Sequence, residues 1–256
     1  MDLNERNKVV CCSLVFSGLL LAFNEHIAQE LVFPANAAYS ILTFYLTYSE
    51  SSIFRHYIFS SLLSFSEIFW IYILKTVWKN ETKLEDPLKT DFFILFTEFF
   101  VLFIAIRTMS KKEIYTEFKN STLRTPIFVL KGYFKATALI ECLRILTLNS
   151  TSQISQFEFI IGIFCSGLLA ASPALVYIID SFFCSDISIK QISINGIYKL
   201  VKIAMLVAAF SMVIELFVPS RIEIKIGYSV SSLVVYFSYL VHYSIEAYRY
   251  SNNFTS

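Results

Sequence analysis

Long, unbroken apolar runs separated by short polar links set the pattern of this sequence. Eight such runs stand out, at residues 9–23, 31–48, 53–78, 92–106, 127–148, 159–179, 197–218 and 227–245. A helix needs about 20 apolar residues, within a range of about 17–25, to cross the hydrocarbon of a bilayer. Strands of a membrane barrel would instead alternate apolar and polar residues. The runs here do not alternate, so each is read as a helix. The expected fold is all-α: a polytopic integral membrane helix bundle of about eight spans, forming one multi-pass domain over residues 1–256.

Two runs depart from the simple pattern. The first follows a short basic stretch with Arg6 and Lys8, as a signal peptide would. No small-residue cleavage site follows closely, so it reads as a retained anchor. The polar link 24–30 then makes a tight hairpin into the second run, which is entered through Pro34. The fifth run, 127–148, contains Lys131, Lys135, Glu141 and Arg144. A charge at a helix centre costs about 2.5–3.5 kcal/mol on insertion scales. Glu141 and Arg144, three apart, are placed to neutralise each other, and Lys131 and Lys135 to snorkel to one interface. The alternative is a surface-lying amphipathic helix, which would reduce the count to seven spans.

Composition supports a lipid rather than an aqueous surface. Hydrophobic residues make up 56% and charged residues 16%, against about 25% charged in average soluble proteins. Mean hydropathy is +0.61. A soluble enzyme, a disordered tail and a nucleic-acid binder are excluded on these figures. The net charge of +1 also leaves no basic surplus to neutralise phosphates.

The Lys/Arg distribution sets the orientation. With eight spans and a cytoplasmic N-terminus, fourteen basic residues fall on the cytoplasmic side and seven on the other. Both termini are then cytoplasmic, in a eukaryotic endomembrane or the plasma membrane. Sequons at Asn80 and Asn149 would face the lumen or exterior. The five cysteines, odd in number and irregularly spaced, form neither a disulfide framework nor a zinc pattern. Cys11 and Cys12 sit where a first span meets the headgroups, a position that suits palmitoylation, although small apolar thiols in a helix explain them as well.

Polar residues inside the runs are where chemistry is expected, because ionisable groups in spans face a bundle interior or a water-filled path. Glu67 and Glu98 lie near the middle of their runs. Residues three or four apart share a helix face, and three runs carry polar stripes at that spacing. They are Asn36, Ser40, Thr43, Thr47 and Glu50; then His56, Ser60, Ser64 and Glu67; then Ser232, Tyr236, Tyr239, Tyr243 and Glu246, with His242 within reach of Glu246. Converging, these faces would make a hydrated polar path. The structural alternative is that Ser and Thr bond their own backbone and Tyr anchors the interface. In the sixth run Gly162, Ser166 and Ala170 recur every four residues, beside Gly167 and Ala171, and Pro173 follows. Such faces suit close helix packing, within the chain or against a protein partner or second copy.

Several chemistries have no motif here. There is no HExxH pair, no G-x-S-x-G elbow and no Walker loop, so no cofactor or metal is expected. The leading expectation is a small-solute or proton transporter with an intramembrane path around Glu67 and Glu98. The alternatives are a non-catalytic membrane protein that binds partners or assists complex assembly, and a lipid-modifying enzyme using Glu67, His56 or the His242/Glu246 pair as acid and base.

Overall fold

In this computed structural model the residues described are 10–12, 14–15, 25–47, 52–79, 92–110, 113–114, 124–147, 156–183, 194–217 and 234–242. The fold is all-α. Its main helices are α1 (Glu25–Thr47), α2 (Ile53–Leu74), α3 (Phe92–Thr108), α4 (Arg124–Thr147), α5 (Gln156–Phe183) and α6 (Ile194–Phe217). Two π-helical turns, Lys75–Lys79 directly after α2 and Tyr236–Leu240, bring the helical elements to eight among the described residues. Two stretches, Ile53–Trp78 and Gln156–Pro173, are long and apolar enough to cross a membrane by length and composition among the described residues. The first apolar run of the sequence and the last fall largely outside the described residues.

Six of the eight expected runs reappear as helices, five of them with both ends close to those expected, while α1 starts well before its run. One link does not reappear. Residues 24–30 were expected to form a polar hairpin, yet α1 starts at Glu25. The stretch Glu-His-Ile-Ala-Gln-Glu is rich in good helix formers, and Pro34 therefore lies inside α1 rather than at its entrance. Beyond α3, Ser110 and Glu113 make a reciprocal capping box. The Glu113 N–H donates to Ser110 Oγ (3.2 Å) and the Ser110 N–H donates to Glu113 Oε2 (2.9 Å). These bonds to Ser110 hold the Glu113 carboxyl below the usual carboxylate range.

The chain divides into two compact units. One contains residues 1–65, 88–134 and 241–256. Its core is aromatic. Phe99 on α3 is fully buried, and Tyr57, Phe65 and Phe103 pack around it with ring centroids 5.7, 6.0 and 6.3 Å away. Offset and edge contacts of this kind add about 0.5–1.5 kcal/mol each beyond area burial. The opposite face of α3 is equally apolar but open: Phe93, Phe100, Val101 and Ile104 are all exposed, Val101 by 59%.

The other unit contains residues 66–87 and 135–240. Here α5 and α6 pack closely, and the expected small-residue face makes this possible. A Cβ on Gly162 would meet Met212 Sδ at 2.7 Å, and one on Gly167 would meet Met205 Cγ at 3.0 Å. Ala204 and Ala208 on α6 are fully buried. Ser166, also fully buried, returns its hydroxyl to the Gly162 carbonyl (2.7 Å). Ala170 is half-buried. Pro173 has no N–H for the carbonyl of Leu169 four residues back; the Ser172 hydroxyl donates to that carbonyl instead (2.8 Å). The helix thus runs through its proline with the freed acceptor satisfied.

The Gly162 geometry gives a graded expectation. Gly162→Ala is nearly neutral, because the obstructing atom is the mobile end of Met212 and alanine gains about 1 kcal/mol of helix propensity. Gly162→Leu overpacks the site and costs about 1–3 kcal/mol. Adding Met212→Ala recovers most of that loss. Unfolding of the purified variants in mixed micelles measures all three, and a Gly162→Leu protein as stable as the parent contradicts the packing.

Candidate functional site

Charged side chains buried in apolar helices concentrate on α2 and α4. Glu67 has no exposed surface, and its carboxylate pairs with Lys135 Nζ. Two turns further along, Lys75 Nζ meets Glu141 Oε1 at 2.9 Å. Arg144 Nη1 approaches the other oxygen of Glu141 at 3.8 Å, with its own side chain 62% exposed. Along α2 and its π-helical continuation the order is acid then base; along α4 it is base then acid. Both pairs therefore form when the two segments run in the same direction, and a shift of either by one turn would break both.

Burial gives this arrangement its energetic weight. Removing an ammonium or a carboxylate from water costs several kcal/mol per ion after relaxation, and only close pairing recovers it. Lys75, Lys135 and Glu141 are 4%, 4% and 7% exposed. The sequence places Lys131 and Lys135 to snorkel towards an interface. Instead Lys135 is held by Glu67, and Lys131, 7% exposed, lies with Nζ 3.7 Å from the centroid of the Tyr39 ring. Both ammoniums are thus held by partners inside the protein. Glu141 does reach Arg144 as expected, but Lys75 is its nearer partner.

The polar stripes of the second and third runs converge, and their described hydroxyls bond to backbone carbonyls. Asn36, Ser60, Ser64 and His56 have no exposed surface. Asn36 Nδ2 donates to the Ser64 carbonyl (2.8 Å), which ties α1 to α2. Ser40, Thr43 and Ser64 donate to carbonyls four residues back on their own helices (2.9, 2.7 and 2.8 Å). Ser60 does the same to His56. His56 Nε2 sits 3.1 Å from the Ile41 carbonyl, and the ring stacks against Phe44 and Tyr45 and meets Phe103 at a tilt. These hydroxyls follow the structural alternative: they cap backbone carbonyls in a close-packed, aromatic setting.

The remaining candidates are dispersed. Glu98 is half-buried on α3, in the unit that does not contain Glu67. Tyr239, 2% exposed, belongs to the second π-helical turn in the unit with Glu67. His242 is half-buried, and Glu246 and Glu50 lie outside the described residues. Glu67, Lys131, Lys135, Glu141 and Arg144 stand out in the sequence, but their cross-helix partners do not, and Lys75 does not stand out at all. The signal was present in the opposed charge order of 67/75 and 135/141. No group of three or more His, Cys, Asp or Glu side chains able to hold a metal ion occurs among the described residues. No family model, curated protein or solved structure matches the chain.

Proposed function

We propose that this chain is a multi-pass membrane protein that moves protons or a small solute, with the Glu67–Lys135 pair as its proton-responsive element. In this reading the runs of the sequence make eight spans, or seven if 127–148 does not cross. Both termini are cytoplasmic, in an endomembrane or the plasma membrane. The observation that carries it is a fully buried carboxylate paired with a buried ammonium inside apolar helices. Such groups are costly and mark ion or proton pathways in membranes. A proton delivered to Glu67 removes its charge and releases Lys135, and the strain of an unpaired ammonium then favours a second arrangement of the helices. The apolar, exposed face of α3 supports placement in lipid, because soluble proteins rarely show apolar patches of that extent.

Two features favour this over the alternatives. Glu67 and Glu141 find their cations within the chain, so neither needs a cation from another subunit. The small residues Gly162 and Gly167 are covered by α6, which removes the face best suited to a partner helix. The histidine suited to acid–base work, His56, is enclosed by rings, which disfavours a lipid-modifying enzyme.

Proteoliposomes loaded with a pH-sensitive dye, under a clamped membrane potential, test the reading. The native protein dissipates an imposed pH gradient faster than empty vesicles. The charge-free double variant Glu67→Gln/Lys135→Met folds but loses flux by at least about tenfold, the least expected for removing a group that relays protons. Flux equal to that of empty vesicles, with and without candidate solutes, sinks the proposal. So does full flux in the double variant.

A further inference from the structure

Lys131 is a buried cation with no carboxylate partner among the described residues. It is 7% exposed, its Nζ lies over the Tyr39 ring, and no acidic side chain is within ion-pair distance among the described residues. An aromatic face returns only part of what an ammonium loses on leaving water. A second polar group nearby on α1 is also incomplete. Asn36 is fully buried and spends its Nδ2 on the Ser64 carbonyl, while its Oδ1 has no hydrogen-bond partner among the described residues. Asn36 and Tyr39 are three apart on α1 and share a face. The spare acceptor and the ring-held cation therefore belong to the same side of that helix.

One ligand chemistry answers both deficits: a carboxylate for the ammonium, carrying a hydrogen-bond donor for the amide oxygen. A hydroxyl suits the donor better than an amino group, whose positive charge would add to an uncompensated cation. A halide satisfies Lys131 alone, and a neutral solute leaves the charge uncompensated. We propose that Lys131, Tyr39 and Asn36 form a binding site for a small hydroxycarboxylate. The site belongs to the unit of α1 and α3, and it stands whether or not Glu67 and Lys135 pass protons.

Calorimetric titration of the purified protein with sodium lactate tests it, with propionate and chloride at matched ionic strength for comparison. Lactate is expected to bind saturably at one site. Propionate, lacking the hydroxyl donor, binds about tenfold more weakly, and chloride more weakly still. Lys131→Gln abolishes lactate binding and Lys131→Arg retains it. Lactate that fails to saturate overturns the proposal, as does equal affinity for propionate or binding that survives Lys131→Gln. If Lys131→Gln does not fold, infrared spectra of carboxyl-labelled lactate on the native protein decide. A carboxylate band shifted by ion pairing supports the site, and a band identical to that of free lactate overturns it.

Discussion

Glu67→Ala is expected to destabilise the protein by about 3–5 kcal/mol, the usual cost of leaving one partner of a buried ion pair uncompensated. Glu67 has no exposed surface and Lys135 only 4%, so water cannot reach the ammonium left behind. Replacing both residues tells a different story. Glu67→Gln/Lys135→Met removes both charges while keeping volume, and exchanges of this kind are often neutral or stabilising. The double variant is therefore expected close to the native stability, giving a large coupling energy in a double-mutant cycle. Lys75→Met is expected to be milder than Glu67→Ala, because Glu141 keeps Arg144 at 3.8 Å as a second, solvent-exposed cation. Unfolding in mixed micelles, monitored by circular dichroism, measures the series. A Glu67→Ala protein within about 0.5 kcal/mol of the parent, the range of surface substitutions, would show that the pair carries no weight.

The contrast between that double variant and the flux experiment separates two roles of one pair. If the pair only held α2 to α4, removing both charges would leave activity as well as stability intact. If it binds a proton in the working cycle, stability survives and flux does not.

Which parts of this arrangement can be read from the chain follows from how local each signal is. The helix of 159–179 is legible because its apolar run is continuous and both ends carry an acid; in the structure it extends to Gln156–Phe183. Pro173 is legible as an interruption, but its repair by the Ser172 hydroxyl depends on a rotamer, not a pattern. The stripe His56, Ser60, Ser64 is legible as one buried face. Its spacing equally fits a hydrated path and a row of hydroxyls capping their own carbonyls, and the structure has the second. The link 24–30 misleads because its polarity resembles a turn while its residues favour helix. Partner choice for Lys131, Lys135 and Glu141 is the least legible, because it depends on the register of α4 against other helices. Along α4 alone, Glu141 has only Arg144 within reach and the two lysines have only the interface.

Val101→Asp decides what solvent surrounds the molecule. Val101 is 59% exposed, near the middle of the 17-residue α3, on the face opposite the buried Phe99 and Phe103. In water an aspartate at so exposed a site changes stability by no more than about 0.5 kcal/mol. In lipid the same aspartate sits at the centre of a span and costs about 3 kcal/mol of insertion free energy. It has no snorkelling route, since its side chain is short and α3 is about 26 Å long at 1.5 Å per residue. The expected result is a sharp fall in the membrane-inserted fraction, scored by carbonate extraction and protease protection in microsomes. A paired change on the buried face supplies the control. Phe99→Leu keeps an apolar side chain, so insertion is unchanged and only packing against Tyr57, Phe65 and Phe103 suffers. Normal insertion of Val101→Asp would mean that the exposed apolar face of α3 meets something other than hydrocarbon. The proton-path reading of Glu67 would then lose its physical basis, because its cost and its meaning both depend on a surrounding low-dielectric slab.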